Sequence, residues 1–268
     1  SITLRHSETL ARMTGAAGIA PLGASAFRLV NVNEREGVAA YCAEAALDFG
    51  FVAPEAALAD FRLVAFDMDS TLITIECVDE LGALAGKKDE VAAITAAAMR
   101  GEVAFDESLR QRAALLSGLP EKALKQVYEE RLRLTEGVEP LVARLKETGA
   151  RTLLVSGGFT YFTERLRKRL GFDRATSNTL EIVRRRLTGH LKGEIFDATG
   201  KAAVVRETRR EMGLSRDQVL AIGDGANDLA MMAEAGTSIA FHAKPLVRAK
   251  ATFCLNHVGL DGVLNLFP

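Results

Sequence analysis

The sequence predicts an α/β protein built on a doubly wound, Rossmann-like parallel sheet, and two observations carry that prediction. Short apolar runs at residues 63–66, 152–155 and 219–222 each end in a polar or glycine-rich turn, with residues 238–241 a candidate fourth. Strands apolar on both faces suit a parallel sheet covered by helices, and the helix-patterned segments between them supply the crossovers. Such sheets bind ligands beyond the carboxyl ends of their strands, where Asp67, Ser156 and Asp224 would converge.

Taken in order, residues 1–60 form a small N-terminal region of unassigned role. Within it residues 26–30 read as a strand and 35–49, closed by Gly50, as a helix. Residues 67–151 separate the first two core strands, too many for one crossover helix, so an insertion is implied. The core is therefore 61–75 and 135–268. Residues 76–134, rich in Ala, Glu, Leu and Arg with breaks near Gly86, Gly101 and Gly118-Leu119-Pro120, read as a helical cap. A second insertion, 175–195, places apolar runs on either side of a basic turn and reads as a β-hairpin.

Composition narrows the class. In 268 residues, 34 Lys and Arg balance 35 Asp and Glu, and no basic run is interleaved with aromatics, so nucleic acid is not the expected partner. The cysteines Cys42, Cys77 and Cys254 are odd in number and far apart, which points to a reducing compartment rather than a disulfide framework. His6, His190, His242 and His257 have no ligand spacing, which favours a metal held by oxygen over zinc. No apolar run is long enough to span a bilayer and the start lacks a signal-peptide pattern, so no membrane partner and a cytoplasmic location are expected.

The chemistry concentrates in four segments. Phe66-Asp67-Met68-Asp69-Ser70-Thr71 puts two carboxylates two residues apart, on one side of an extended segment. Such a pair can hold a hard cation while one member attacks phosphorus and the other shuttles a proton, with the Ser70 and Thr71 hydroxyls near a bound phosphoryl oxygen. An acidic turn after a strand is the plain alternative. Gly223-Asp224-Gly225-Ala226-Asn227-Asp228 repeats the choice: an Asp-Gly turn and a helix-start acid, or a third metal ligand in Asp224 supported by Asn227 and Asp228. Ser156-Gly157-Gly158-Phe159 precedes a helical pattern and either cradles an anion or lets Ser156 or Thr160 cap the helix. Lys201 stands at the start of a helix running to about Met212, where a cation opposes the helix dipole unless it bends away or meets a phosphate. In the cap, Phe105, Leu109, Arg112 and Leu116 form a helical stripe whose Arg112 either snorkels at the edge or grips a substrate carboxylate.

In this order, DMDST, SGGF, Lys201 and GDGAND resemble the haloacid dehalogenase superfamily of phosphohydrolases. Beyond these motifs, residues 67–80, 99–116 and 187–197 are similar to its phosphoserine phosphatase family. The resemblance runs from about Phe61 to the C-terminus. It implies hydrolysis of O-phosphoserine to serine and phosphate, the last step of serine biosynthesis. Asp67 would be the nucleophile and Asp69 the general acid and then base; Ser156 and Lys201 would hold the phosphoryl group. Asp67, Asp69 and Asp224 would bind Mg²⁺, with Asp228 behind them. It further implies Glu76 for the substrate ammonium, Arg112 for its carboxylate, Met99 and Phe105 as an apolar lid, and Gly157 and Asn227 as substrate contacts. Glu76 is equally an acid favoured in a first helical turn. A phosphatase or phosphotransferase for another small phosphomonoester would use the same core, and a homodimer is left open.

Overall fold

The computed structural model describes residues 2–23, 25–100 and 102–268, apart from the Met99 side chain. The core is a seven-stranded sheet of spatial order β6-β5-β4-β3-β7-β8-β9, formed by β3 (Leu63–Phe66), β4 (Arg151–Phe159), β5 (Arg174–Val183), β6 (Arg186–Lys192), β7 (Val219–Gly223), β8 (Thr237–Phe241) and β9 (Phe253–Leu255). All neighbours are parallel except β5 and β6. Because β4 and β7 flank β3, chain connections leave β3 in opposite directions. The strand order thus reverses at its carboxyl end, the place where such sheets open a crevice.

Alternation along the strands explains the two covering layers. Val64, Phe66, Leu154, Leu220 and Ile222 face a core completed by α7 (Val138–Glu147), α8 (Thr160–Leu170) and the C-terminal α12 (Gly262–Leu266). Leu63, Ala65, Leu153, Val155, Val219 and Ala221 face the other way, onto Val204 and Val205 of α9 (Ala198–Glu211) and Met231 and Met232 of α10 (Leu229–Met232). The short α11 (Pro245–Arg248) leads into β9.

Between β3 and β4 the chain is helical: α3 (Cys77–Leu84), α4 (Lys88–Met99), α5 (Phe105–Ala114), α6 (Lys122–Gln126) and a wide π-helical turn, Val127–Arg131. Gly86 and Gly118, both in the left-handed region, break it near the expected places. The chain entering and the chain leaving this segment are stitched together by an isolated antiparallel bridge at Ile73 and Leu134, with Thr74 N–H to the Arg133 carbonyl and Thr135 N–H to the Leu72 carbonyl, both at 3.0 Å. The α5–α6 loop is also bonded to the β5–β6 hairpin: Gly118 N–H to Leu187 O (2.8 Å), Leu187 N–H to Leu119 O (2.9 Å) and Glu121 N–H to Arg185 O (2.9 Å).

Several expectations need correction. The hairpin is not a separate insertion, because β5 is one strand whose first half pairs with β4 and whose second half pairs with β6. The strand expected at 152–155 runs on through Ser156-Gly157-Gly158 to Phe159, with a register shift between Val155 and Phe159. Near the N-terminus, β2 (Ala26–Val30) falls as read, but it pairs with an unforeseen β1 (Gly18–Leu22) beside an unforeseen α1 (Leu4–Thr14). The helix read at 35–49 is only α2 (Val38–Glu44), stopped by Ala46, whose φ of 51° breaks the helical path.

Candidate active site

Asp67 follows β3 directly, and its N–H extends the ladder to the Ile222 carbonyl (3.0 Å), so the carboxylate is fixed at the switch point of the sheet. Asp228 closes a 3-10 turn, Ala226–Asp228, just after β7; Lys201 comes from the first turn of α9. The Lys201 ammonium donates to Asp67 Oδ1 at 2.6 Å and to Asp228 Oδ1 at 2.7 Å, and Lys201 is 0% exposed. Its dipole-opposed position is therefore explained: the lysine turns into the site and not to solvent. The second Asp228 oxygen accepts from the N–H groups of Asp224 (3.1 Å) and Gly225 (3.0 Å). Asp228 thus spends both oxygens holding neighbours, in keeping with a supporting position.

Asp67, Asp224 and Asp228 offer oxygens all within 4.8 Å of one another. Three carboxylates face one lysine, so the cluster carries surplus negative charge that burial makes costly. The titration behaviour reports this. Burial, then the charge of Asp228, pushes the Asp67 carboxyl well above its ordinary range, and the same two causes push Asp224 up to about 7. Burial alone would discharge Lys201, yet Asp228 and Asp67 hold it above the normal lysine range. An all-oxygen set with uncompensated charge fits a hard divalent cation such as Mg²⁺.

The carboxylate of Asp69 stands outside that trio. Cys77 N–H donates to it at 3.3 Å, and burial followed by the Glu76 charge raises its pKa to about 8. Ser70, at φ 58°, occupies the left-handed region that a non-glycine residue enters at a cost of about 1–3 kcal/mol. Its hydroxyl donates to Glu76 Oε1 at 2.6 Å, and the Thr71 hydroxyl donates to Asp224 Oδ1 at 3.0 Å. Both hydroxyls thus orient acids, a use that the sequence reading missed when it put them beside a phosphoryl oxygen. Only the contact across 153 positions to Asp224 could have revealed the Thr71 role. Glu76 is the N-cap residue of α3, at the positive end of the helix dipole, but makes no capping bond there; its carboxylate accepts from Ser70 instead.

Neither Ser156 nor Thr160 caps α8, whose N-cap is Phe159. Instead Ser156, buried in β4, accepts from Gly158 N–H at 2.9 Å. Any side chain at Gly157 would meet the Phe105 ring, 2.8 Å from where its Cβ would stand, so α5 touches β4 here. Arg112 is 9% exposed and does not snorkel. Its Nε donates to the Ser108 carbonyl (3.3 Å); burial lowers its pKa, opposed by Asp79, Glu76 and Asp69, the acids it faces. Asn227 is half-buried in the turn beside Asp224. Met99 ends α4, and its side chain lies outside the described residues.

Residues 64–233 match the family of haloacid dehalogenase-like hydrolases. The phosphoserine phosphatase of Polaromonas sp. strain JS666 is 53% identical over 218 residues, 80% of this chain and 92% of that protein. That of Archaeoglobus fulgidus is 50% identical over 208 residues, 76% of this chain and 60% of that one. Among solved structures, an unliganded probable phosphoserine phosphatase from Vibrio cholerae superposes with a TM-score of 0.82 at 36% identity, covering 99% of this chain and 83% of that one. A phospho-aspartyl intermediate analogue of phosphoserine phosphatase superposes at 0.73 and 36% identity, covering 78% of this chain and 99% of that one. Identity at this level across nearly the whole of a relative, on a fold that superposes on solved phosphoserine phosphatases, leaves one assignment: the chain belongs to the phosphoserine phosphatases of the haloacid dehalogenase-like hydrolases.

Proposed function

We propose that the chain hydrolyses O-phosphoserine to serine and phosphate, completing serine biosynthesis, through a phosphoryl group carried on Asp67. The observation that carries this reading is the Lys201 ammonium, fully buried and 2.6 Å from Asp67 at the switch point. In the first step an Asp67 oxygen attacks phosphorus, the bond to the serine oxygen breaks, and Asp69 gives that oxygen its proton. A pKa near 8 suits Asp69 to this task, since the group is protonated at neutral pH. In the second step Asp69 takes a proton from water, which attacks the acyl phosphate and frees Asp67. Ser156 and Lys201 hold the phosphoryl oxygens throughout, and positioning of this kind is most of what phosphoryl transfer asks of a protein.

Mg²⁺ would be held by Asp67, Asp69 through its main chain, and Asp224, with Asp228 behind; when bound it neutralises phosphoryl charge and favours the ionised form of Asp67. Glu76 takes the substrate ammonium and Arg112 its carboxylate, with Asn227 and Gly157 completing the contacts and Phe105 and Met99 covering them. Residues 76–134 then act as the cap over a core of 61–75 and 135–268, and 1–60 as an appended region. Among the described residues no helix is long and apolar enough to cross a membrane, and a small polar substrate suits a cytoplasmic enzyme. Every group invoked comes from one chain; whether the chain forms a homodimer is a question of assembly that sedimentation velocity decides. Phosphate release measured on phosphoserine, phosphothreonine and simple phosphomonoesters, with an acceptor alcohol present in parallel, tests the reading. Preference for phosphoserine with water as acceptor is expected; equal rates on all substrates, or transfer to the alcohol, would overturn it.

A further inference from the structure

Asn178 lies in β5 opposite Phe159, at the point where the β4–β5 ladder loses register, and is 3% exposed. Its side chain makes three bonds, none of them to the ladder. Nδ2 donates to the Gly157 carbonyl (2.9 Å) and the Phe196 carbonyl (3.0 Å), and Oδ1 accepts from Phe196 N–H (2.7 Å). Both amide hydrogens are thereby used, so the carboxamide has one orientation that satisfies it.

The two segments it joins carry different parts of the site. Gly157 follows Ser156 in the stretch where β4 departs from regular pairing. Phe196 precedes Asp197, the N-cap of α9, which accepts from Gly200 N–H at 2.9 Å. The Phe196 ring packs on Gly200, where a Cβ would stand 2.7 Å from it, and the next residue is Lys201.

We propose that Asn178 is a positioning residue that fixes the distance between the Ser156-Gly157 stretch and Lys201, and so sets the width of the phosphoryl pocket. The inference rests on the assignment of those two groups to the phosphoryl oxygens. Asn178 itself touches neither reactant nor metal ligand; it acts through Gly157 on one side and Phe196 on the other. A strand residue with an unremarkable neighbourhood in sequence is thus a gauge between the irregular end of β4 and the approach to α9. Asn178→Asp keeps the shape and the Phe196 N–H bond but replaces both donor bonds with repulsion between oxygens, which spreads the two segments. Displacement on the order of 1 Å costs about 100-fold in rate.

The test compares wild type, Asn178→Asp and a control, Leu145→Ala, that weakens the remote α7 packing. Binding of inorganic phosphate in the presence of Mg²⁺ is measured by calorimetry, and kcat/KM for phosphoserine is measured alongside it. Expected are a loss of about 100-fold in kcat/KM and at least about tenfold weaker phosphate binding for the folded Asn178→Asp protein, with both retained per folded molecule in the control. Unchanged phosphate affinity in folded Asn178→Asp overturns the proposal, because a purely structural residue lowers the amount of active protein and not the affinity of what remains. If Asn178→Asp does not fold, Asn178→Ser serves in its place, and failure of both to fold overturns the proposal too. Should wild type bind phosphate yet spare phosphoserine, the substrate assignment fails while the calorimetric arm still decides the role of Asn178.

Discussion

Lys201 and Asp228 meet at 2.7 Å with neither side chain reachable by solvent, and Asp67 shares the same ammonium at 2.6 Å. A buried cation between two carboxylates is a poor stabiliser compared with apolar packing, but breaking it leaves acids that nothing else neutralises. Replacing Lys201 with Met, which fills similar space, is expected to lower the unfolding free energy by about 3–5 kcal/mol at neutral pH without metal. Urea denaturation measures this, and a change below about 1 kcal/mol would show that the acids relax by protonation alone.

Asp224 supplies a pH-dependent counterpart. Its folded pKa of about 7 lies above the unfolded value of about 3.9, so the unfolded state releases its proton first as pH rises. Stability is then fully present below about pH 4 and is lost between roughly pH 4 and pH 7 in the metal-free protein. Asp224→Asn, which keeps an oxygen for the Thr71 hydroxyl, should stabilise the metal-free protein by about 1–3 kcal/mol at pH 8 and by almost nothing at pH 4. The same substitution should abolish the rise in Tm that Mg²⁺ gives the wild type. Melting curves at the two pH values, with and without the metal, test both statements; equal effects at pH 4 and pH 8 would contradict the charge argument.

Asp67→Asn should eliminate turnover and phosphoenzyme together, since the amide is not a nucleophile for phosphorus. Rapid quench with labelled phosphoserine and peptide mapping of the wild type should place the label on Asp67. Label recovered on any other residue sinks the covalent route.

Arg112→Ala should cost about 2–5 kcal/mol in kcat/KM for phosphoserine, because a substrate carboxylate is left unpaired in a nearly dry site. Phosphoethanolamine, which has no carboxylate, should lose far less. Equal losses on the two substrates would mean that Arg112 supports α5 rather than reading the substrate.

The strands β3 and β7 were legible because each is apolar on both faces and ends at a polar or glycine-rich turn; β3 coincides with its reading, residue for residue. Asp67 and Asp224 come together as the strand ends required, and Asp228 and Lys201 join them. The remainder depends on contacts between distant segments. Nothing local tells that Thr71 serves Asp224 or that Ser70 bends into the left-handed region to reach Glu76. Near the N-terminus, β1 contains Gly18 and Pro21, which weaken any strand pattern, and α1 is polar over most of its surface and is held by the Thr3 capping box. The helix read at 35–49 was too long because composition alone does not mark the left-handed turn at Ala46.

The bonds between the α5–α6 loop and the β5–β6 hairpin bear on how this architecture tolerates change. Arg184 and Arg185 both sit in the left-handed region at the hairpin tip, Glu121 N–H bonds to the Arg185 carbonyl, and the Arg186 guanidinium reaches the Gly118 carbonyl at 2.6 Å. A residue added to either loop would leave the donors of the other facing the wrong acceptors. The helical segment between β3 and β4 is therefore no interchangeable module: grafting a longer or shorter one from a relative would require its matching hairpin to come with it, and the lengths of two segments some 65 positions apart in the chain are bound to vary as one.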